Sequence, residues 1–427
     1  MKLYFYPFYI SIFLTLSILL VPSLSFQFND QGEFTIVQFT DFHYCEDENM
    51  DDAIQQTQRK ILEIVKPDLA VISGDGLCPN QAFYFEIFKK HGVAERCWHK
   101  MTDPFIDAQV PYAYTLGNHD GDGDMTNLDL VRLDQTNPYS LKNKSPGIPD
   151  SPTFYIPVFS KQVEGELAAN IWILDTNRRD CNGTKETYGC IEGNVLDWYD
   201  RESANIKEKY GDDVHHIAFY HVPIPEYIDI FNSEDFYGET DEKVCCPTVN
   251  TGFFQRAKKN GDITGMFVGH DHSNNFGGWL DGIELVYGQN SGHGSYGGTR
   301  GARVIKLKES YGEDGRIRVT REHYVIYEDG STGSRVHNRI TERQYQLECY
   351  SNYGDSNVSR LIDAGFFEGV RFLIEIGILL IFVLMIRKLW GTQIKNFVTD
   401  FKPKSKSYTE MEKTHEPEAN KDENRQL

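Results

Sequence analysis

A chain of 427 residues with 40% hydrophobic content is long enough for one large domain or two ordinary ones and can fill a sizeable core. Its formal net charge of -20 repels phosphate backbones over most of the surface, which excludes nucleic acid as a general partner unless a local cationic or metal site overrides it.

The first 25 residues carry a basic Lys2, a long apolar run and a small-x-small end at Ser23-Leu24-Ser25, the pattern of a cleaved signal peptide. Passage across a membrane makes the eight cysteines disulfide candidates; Cys181 and Cys190 can close a short loop, and Cys245-Cys246 reads as disulfide-forming rather than metal-binding. Sequons at Asn143, Asn182 and Asn357 suit a glycosylated lumenal face, with Pro146 weakening the first.

From residue 26 the chain alternates short apolar runs with helical patterns. The runs "FTIVQFTDFH", "DLAVISGDG", "PYAYTLGNHD", "ANIWILDTN", "HHIAFYHVP" and "GMFVGHDH" are rich in Val, Ile, Phe and Tyr and end in polar clusters, as buried strands do. Between them "MDDAIQQTQRKILEIVKPD", a longer region around "AFYFEIFKKHG", "NVLDWYDRESANIKEKYG" and "FFQRAKKNG" predict helices. The alternation predicts a layered α/β domain. Two later strands, near "RVIKLKE" and "RIRVTREHYVIYED", lack intervening helices and predict a second, antiparallel sheet beside the first.

Ligands in open α/β sheets gather beyond the carboxyl ends of strands. Six strand ends would bring Asp41, His43, Asp75, Asn118, His119, Asp120, His221, His270 and His272 to one rim. Asp41/His43 and His270/His272 stand at i and i+2, on one side if their backbone is extended. Asp, Asn and His with no thiolate suit hard to borderline ions such as Mn, Fe or Zn, and there are more donors than one ion needs. Two divalent or trivalent ions sharing a carboxylate fit better, with Asp75 as bridge, and such a pair serves in-line phosphoryl transfer. Asn118 then offers an amide oxygen, His119 acts as acid or hydrogen-bond donor toward the substrate, and Asp120 fixes its tautomer. The glycine-rich "GQNSGHGSYGG" around His293 reads as a tight structural loop, with a substrate-facing loop as the alternative.

The ordered blocks D-x-H, G-D, G-N-H-D, H and G-H-x-H, spread over residues 35 to about 300, resemble the signature of the calcineurin-like metallophosphoesterase superfamily. "YHVPIPEY" and "GHDHSNNF" resemble the branch related to purple acid phosphatases. The resemblance implies a four-layer α/β fold of two packed mixed β-sheets flanked by helices, with a metal-bridging hydroxide as nucleophile. It also implies that Asp41, His43, Asp75 and His272 hold one ion and Asp75, Asn118, His221 and His270 the other. Two positions depart from it. Cys78 stands where purple acid phosphatases carry a tyrosine ligand, so no Fe(III)-tyrosinate colour is expected, and Asn275 stands where relatives often carry an acid.

After the domain, over 26–345, and a juxtamembrane segment, over 346–370, the stretch from Phe372 to Ile386 holds twelve Leu, Ile, Val or Phe residues around Glu375. At about -0.3 to -0.6 kcal/mol each they outweigh the roughly +3 kcal/mol of a central acid, which predicts one transmembrane helix over 371–387. Arg387, Lys388 and further lysines follow, so the positive-inside rule puts a disordered tail, 388–427, in the cytoplasm and the domain in the lumen or outside the cell. The combined expectation is a single-pass type I protein of the secretory pathway or plasma membrane that cleaves phosphate monoesters. A phosphodiesterase on nucleotides or lipids and a catalytically inactive binding ectodomain are the alternatives.

Overall fold

The structure, a computed structural model, describes residues 26–78, 92–233, 235–333, 345–349 and 366–400. It divides into two units, Met1–Ala364 and Gly365–Leu427. The expected signal peptide, the Asn357 sequon and most of the juxtamembrane and tail segments lie outside the described residues.

The first unit is built on two mixed sheets. In one, the parallel strands Glu33–Phe39, Leu69–Ser73 and Tyr112–Thr115 are extended by Gly301–Tyr311 and Ile317–Tyr327, each antiparallel to its neighbour. In the other, Leu167–Ile173, His215–Phe219, Ile263–Val268 and Ile283–Tyr287 run parallel, flanked by the antiparallel Phe154–Phe159 and Gly277–Leu280. The expectation that the two late strands form a separate antiparallel sheet is therefore corrected. Arg303 to Lys308 pair with Glu33 to Gln38, so the late strands complete the sheet begun by the first three, and the middle strands make the second sheet. Backbone pairing across 265 residues of chain leaves no periodic signal in either partner, which is why the partition was not legible.

Ile36, Val71, Ala113 and Ile305 from one sheet meet Ile156, Ile171, Phe219, Phe267 and Val286 from the other in an apolar core. Helices Asp51–Val65 and Val93–Ala108 cover the outer face of the first sheet, and Gly193–Tyr210, Tyr227–Asn232 and Phe253–Asn260 cover that of the second. The result is the four-layer α/β arrangement. Helix Asp51–Val65 shows how local sequence serves it. Ile54, Ile61 and Leu62 share its buried stripe, and Lys66, left-handed at φ 49°, ends it before Pro67, which cannot continue a helix.

Three disulfides join Cys45–Cys97, Cys181–Cys190 and Cys246–Cys349. The short loop expected for Cys181 and Cys190 is present; of the vicinal pair only Cys246 is bonded, while Cys245 and the buried Cys78 are free thiols.

Between the sheets Glu284 accepts from Tyr237 Oη at 2.7 Å and Arg321 Nη2 at 2.8 Å, with His323 Nε2 at 3.2 Å. Burial would raise its carboxyl, but the His323 hydrogen bond and the His323 and Arg321 charges hold it far below the usual carboxylate range. A carboxyl lowered in the folded state stabilises above its unfolded pKa, about 4.3, and that contribution is lost as pH falls through the folded value. Glu284→Gln is expected to cost about 3 kcal/mol at neutral pH and to flatten the decline of Tm below about pH 4.3; melting curves from pH 3 to 7 check both, and an unchanged acid slope would refute the assignment.

The second unit contains one long helix, Phe366–Asp400, with exposed apolar side chains such as Ile378, Leu379, Leu380, Ile381 and Phe382. Among the described residues no helix is long and apolar enough to cross a membrane, so the span expected over 371–387 is not established by the fold.

Candidate active site

The strands Glu33–Phe39, Leu69–Ser73, Tyr112–Thr115, His215–Phe219 and Ile263–Val268 deliver Asp41, Asp75, Asn118, His221 and His270 within a few residues of their carboxyl ends. The sixth predicted strand end, after Leu167–Ile173, supplies no expected ligand but carries Arg178. Asp41, His43, Asp75 and His270 all adopt left-handed backbone, at φ 55°, 53°, 48° and 79°. Extended geometry for the D-x-H and H-x-H pairs is thereby corrected: the side chains converge because the chain turns sharply as each strand ends. Non-glycine residues in this region are strained, by about 1–3 kcal/mol each, and persist where the surroundings over-determine them. Glycine is required at two positions around Asp75. A Cβ at Gly117 would run into the Asp75 carboxylate, and one at Gly74, itself at φ 94°, into the His221 ring.

Two buried clusters result, Asp41 with His43 and His272, and Asp75 with His221 and His270; in each the donor atoms lie within 4.8 Å of one another. Asp75 stands between them. Its Oδ2 is 3.1 Å from His221 Nε2 and 3.6 Å from His43 Nε2, while its Oδ1 accepts the His119 backbone N–H at 2.7 Å. Asn118 Oδ1 lies 3.0 Å from His221 Nε2, and Asp41 Oδ1 lies 3.5 Å from His272 Nε2. All seven expected ligands are brought to one place.

The outward nitrogens explain how the rings are aimed. His221 Nδ1 donates to the Ser73 carbonyl at 2.9 Å, His43 Nδ1 meets Glu46 Oε2 at 2.7 Å, and His272 Nδ1 meets Ser295 Oγ at 2.5 Å. In each case Nε2 is left facing the clusters, the outer support that orients metal-bound imidazoles. The Nε2 atoms of His43 and His270 are buried with no hydrogen-bond partner among the described residues, an arrangement that costs free energy unless a cation takes up the lone pair. Donor set, orphaned nitrogens and shared carboxylate all fit two metal ions.

Electrostatics agree. Burial would raise both carboxyls, but His272 lowers that of Asp41 and the charges of His221 and His119 hold Asp75 well below its ordinary value. Against burial, Asp75 lifts His221 to about 9. Burial, reinforced by His221, pushes His270 down to about 3. The site thus contains anionic carboxylates among imidazoles that compete for charge, the state a cation would neutralise.

His119 is half-exposed on the rim, its ring 5.3 Å from that of His43. Asp120 does not grip it. The Asp120 carboxylate accepts from the backbone N–H groups of Asp75, Leu77 and Gly117 at 3.0, 2.8 and 2.6 Å and from the Tyr114 hydroxyl. The tautomer-fixing role expected of Asp120 is corrected: it ties the turn after strand Tyr112–Thr115 to the one carrying Asp75. His119 Nδ1 instead meets Asp122 Oδ2 at 2.7 Å.

Cys78 is buried beside His43 and His119. Asn275 is committed elsewhere, donating to Gln289 Oε1 at 2.8 Å and accepting from the Glu239 N–H. His293 faces Thr57 and Glu328, and it is Ser295 and Tyr296 of the same loop that touch the site, Tyr296 stacking on His272 with ring centroids 4.2 Å apart. On the opposite flank Tyr188 packs against His270 at 4.4 Å.

A turn-borne cluster of Asp, Asn and His able to hold two metals, at the strand ends of a four-layer α/β sandwich, defines a metallophosphoesterase centre. The family model of calcineurin-like phosphoesterases matches residues 34–274, and the chain belongs to that family. It is similar to "Probable inactive purple acid phosphatase 14" of Arabidopsis thaliana, 28% identical over 324 residues that cover 66% of this chain and 77% of the relative. It is also similar to "Phosphatase DCR2" of Saccharomyces cerevisiae, 28% identical over 278 residues, 58% of this chain and 46% of that one. Among solved structures, a dimetal phosphatase from Danio rerio aligns with 67% of this chain and 98% of its own, at 12% identity and a TM-score of 0.43.

Proposed function

We propose that this protein hydrolyses phosphate monoesters at a dinuclear metal centre. Asp41, His43, Asp75 and His272 would hold one ion, and Asp75, Asn118, His221 and His270 the other, with Fe, Mn or Zn matching these donors. The observation that carries the reading is the Asp75 carboxylate, buried between two clusters whose inward nitrogens include two without partners. Bound there, two such ions would neutralise phosphoryl charge and activate water. The protein's own groups supply the rest: the turns fix the donors, Tyr188 and Tyr296 pack on the rings of His270 and His272, and half-exposed His119, as imidazolium, faces the substrate as proton donor to the leaving oxygen.

The name of the Arabidopsis relative favours a second reading, a catalytically inactive binding domain. Against it stands the complete set of donors together with His119. Elemental analysis of the full chain, paired with turnover of para-nitrophenyl phosphate and its bis-ester, separates the readings. Two metals per chain with preference for the monoester is the expected result, preference for the bis-ester would make the protein a phosphodiesterase, and no turnover after loading with Mn, Fe or Zn would favour the binding domain.

The proposal includes a location. The N-terminal pattern and the apolar run over 371–387 support a single-pass type I protein with its metal centre in the lumen or outside the cell, and the disulfides fit an oxidising compartment. Retention in the membrane pellet after alkaline carbonate extraction is expected, and release into the supernatant would refute the anchor.

A further inference from the structure

We propose that Asp122 is the positioning residue for His119, holding it in the tautomer that presents Nε2 to the substrate. This rests on the phosphatase reading above and adds a residue to it.

His119 Nδ1 and Asp122 Oδ2 are 2.7 Å apart, bridged across the one-turn 3-10 helix Asp120–Asp122, whose three-residue repeat places i and i+3 side chains on the same face. A carboxylate has only acceptor capacity, so a neutral imidazole meeting it at Nδ1 must carry its proton there. Nε2 is then the nitrogen that takes up a proton from water, and the imidazolium so formed, its Nδ1–H still held by Asp122, passes that Nε2 proton to the leaving oxygen.

Asp122 is itself held. Its Oδ1 forms an ion pair with Arg178 Nη2, Arg179 Nη2 approaches to 4.0 Å, and Arg178 Nε donates to the Asn118 carbonyl at 3.0 Å. Asn118, His119, Asp122 and Arg178 therefore form a closed ring of contacts between a turn of one sheet and a segment leaving the other. That segment runs into the hairpin Arg179–Cys181 with Thr184–Tyr188, closed by Cys181–Cys190. Both faces of the carboxylate are engaged, one by the imidazole and one by the guanidinium, which removes the rotamer freedom that would let His119 drift. Glu46 grips His43 at the same i, i+3 spacing and the same 2.7 Å. Asp120 is spent on backbone N–H groups, so Asp122 is the carboxylate hydrogen-bonded to the His119 ring.

The test uses the full chain, loaded with zinc, as wild type, Asp122→Ala and Asp122→Asn. A proton donor matters most when the leaving oxygen is basic and little when it is a good leaving group. Asp122→Ala is expected to lower kcat on an alkyl phosphate by ~30-fold or more and on 2,4-dinitrophenyl phosphate by less than ~3-fold, with KM little changed and two metals retained. Asp122→Asn, which keeps an acceptor, should recover part of the loss. Long-range proton–nitrogen NMR of histidine-labelled protein should show His119 as the Nδ1–H form in wild type and not in Asp122→Ala. Equal loss across leaving groups, loss of metal, or an unchanged tautomer in Asp122→Ala would each overturn the proposal. If wild type turns over no ester, the phosphatase reading fails, and the tautomer measurement alone decides whether Asp122 positions His119.

Discussion

Asp75→Asn is expected to reduce bound metal from two ions to fewer than one per chain and to lower monoester turnover by more than ~100-fold, since even outer supports of metal ligands are each worth 10- to 100-fold. The reason is placement. Asp75 Oδ2 faces His221 Nε2 and His43 Nε2, at 3.1 and 3.6 Å, and so belongs to both clusters. An amide would keep the shape and remove the negative charge the two sites share, and its NH2 group would confront lone pairs where a cation belongs. Metal analysis by mass spectrometry with a thermal melt on the same sample decides it. A folded variant that keeps two metals would show that Asp75 is not the bridge.

His119→Ala is expected to do the reverse, leaving metal content near two while turnover of an alkyl phosphate falls by ~100-fold or more. The His119 ring lies 5.3 Å from the His43 ring and its charge acts on Asp75, but it belongs to neither cluster; its backbone N–H donates to Asp75 Oδ1 at 2.7 Å, and alanine retains that hydrogen bond. Its ring is turned to the rim and is half-exposed, and Asp122 keeps its ion pair with Arg178 when the ring is removed. If the variant lost metal as readily as Asp75→Asn, His119 would be structural or a ligand, and the division of roles between them would collapse.

Much of this site was legible because polar residues at the ends of apolar strands have few other reasons to recur. Asp41, Asp75, Asn118, His221 and His270 each follow a run that can only be a buried strand, and the glycines of "SGDG" and "GNHD" sit where a Cβ would collide with Asp75 or His221. The supports were harder to read. Glu46 and Asp122 each stand three residues after a rim histidine, a spacing visible in "HYCE" and "HDGD", yet Asp120, one residue from His119, was the stronger lure. Neighbours in sequence point different ways in a tight turn, whereas i and i+3 share a face. Ser295 and Arg178 had no local signal at all, because what they bond arrives from 23 and 60 residues away.

By itself the sequence determined the strands that carry the donors and three of the helices that cover the sheets, since hydrophobic period and turn chemistry act over a few residues, and it determined the inventory of donors, since side-chain chemistry is carried by residue type. It also determined that the donors of each parallel set would share one edge, because parallel strands linked by helices all end on the same side. Only the tertiary structure decided which strands share a sheet, which cysteines pair, and which carboxylate holds which imidazole. Those choices rest on contacts between distant segments, where a hydrogen bond or a disulfide is fixed by how two sheets pack and not by any pattern in either strand alone.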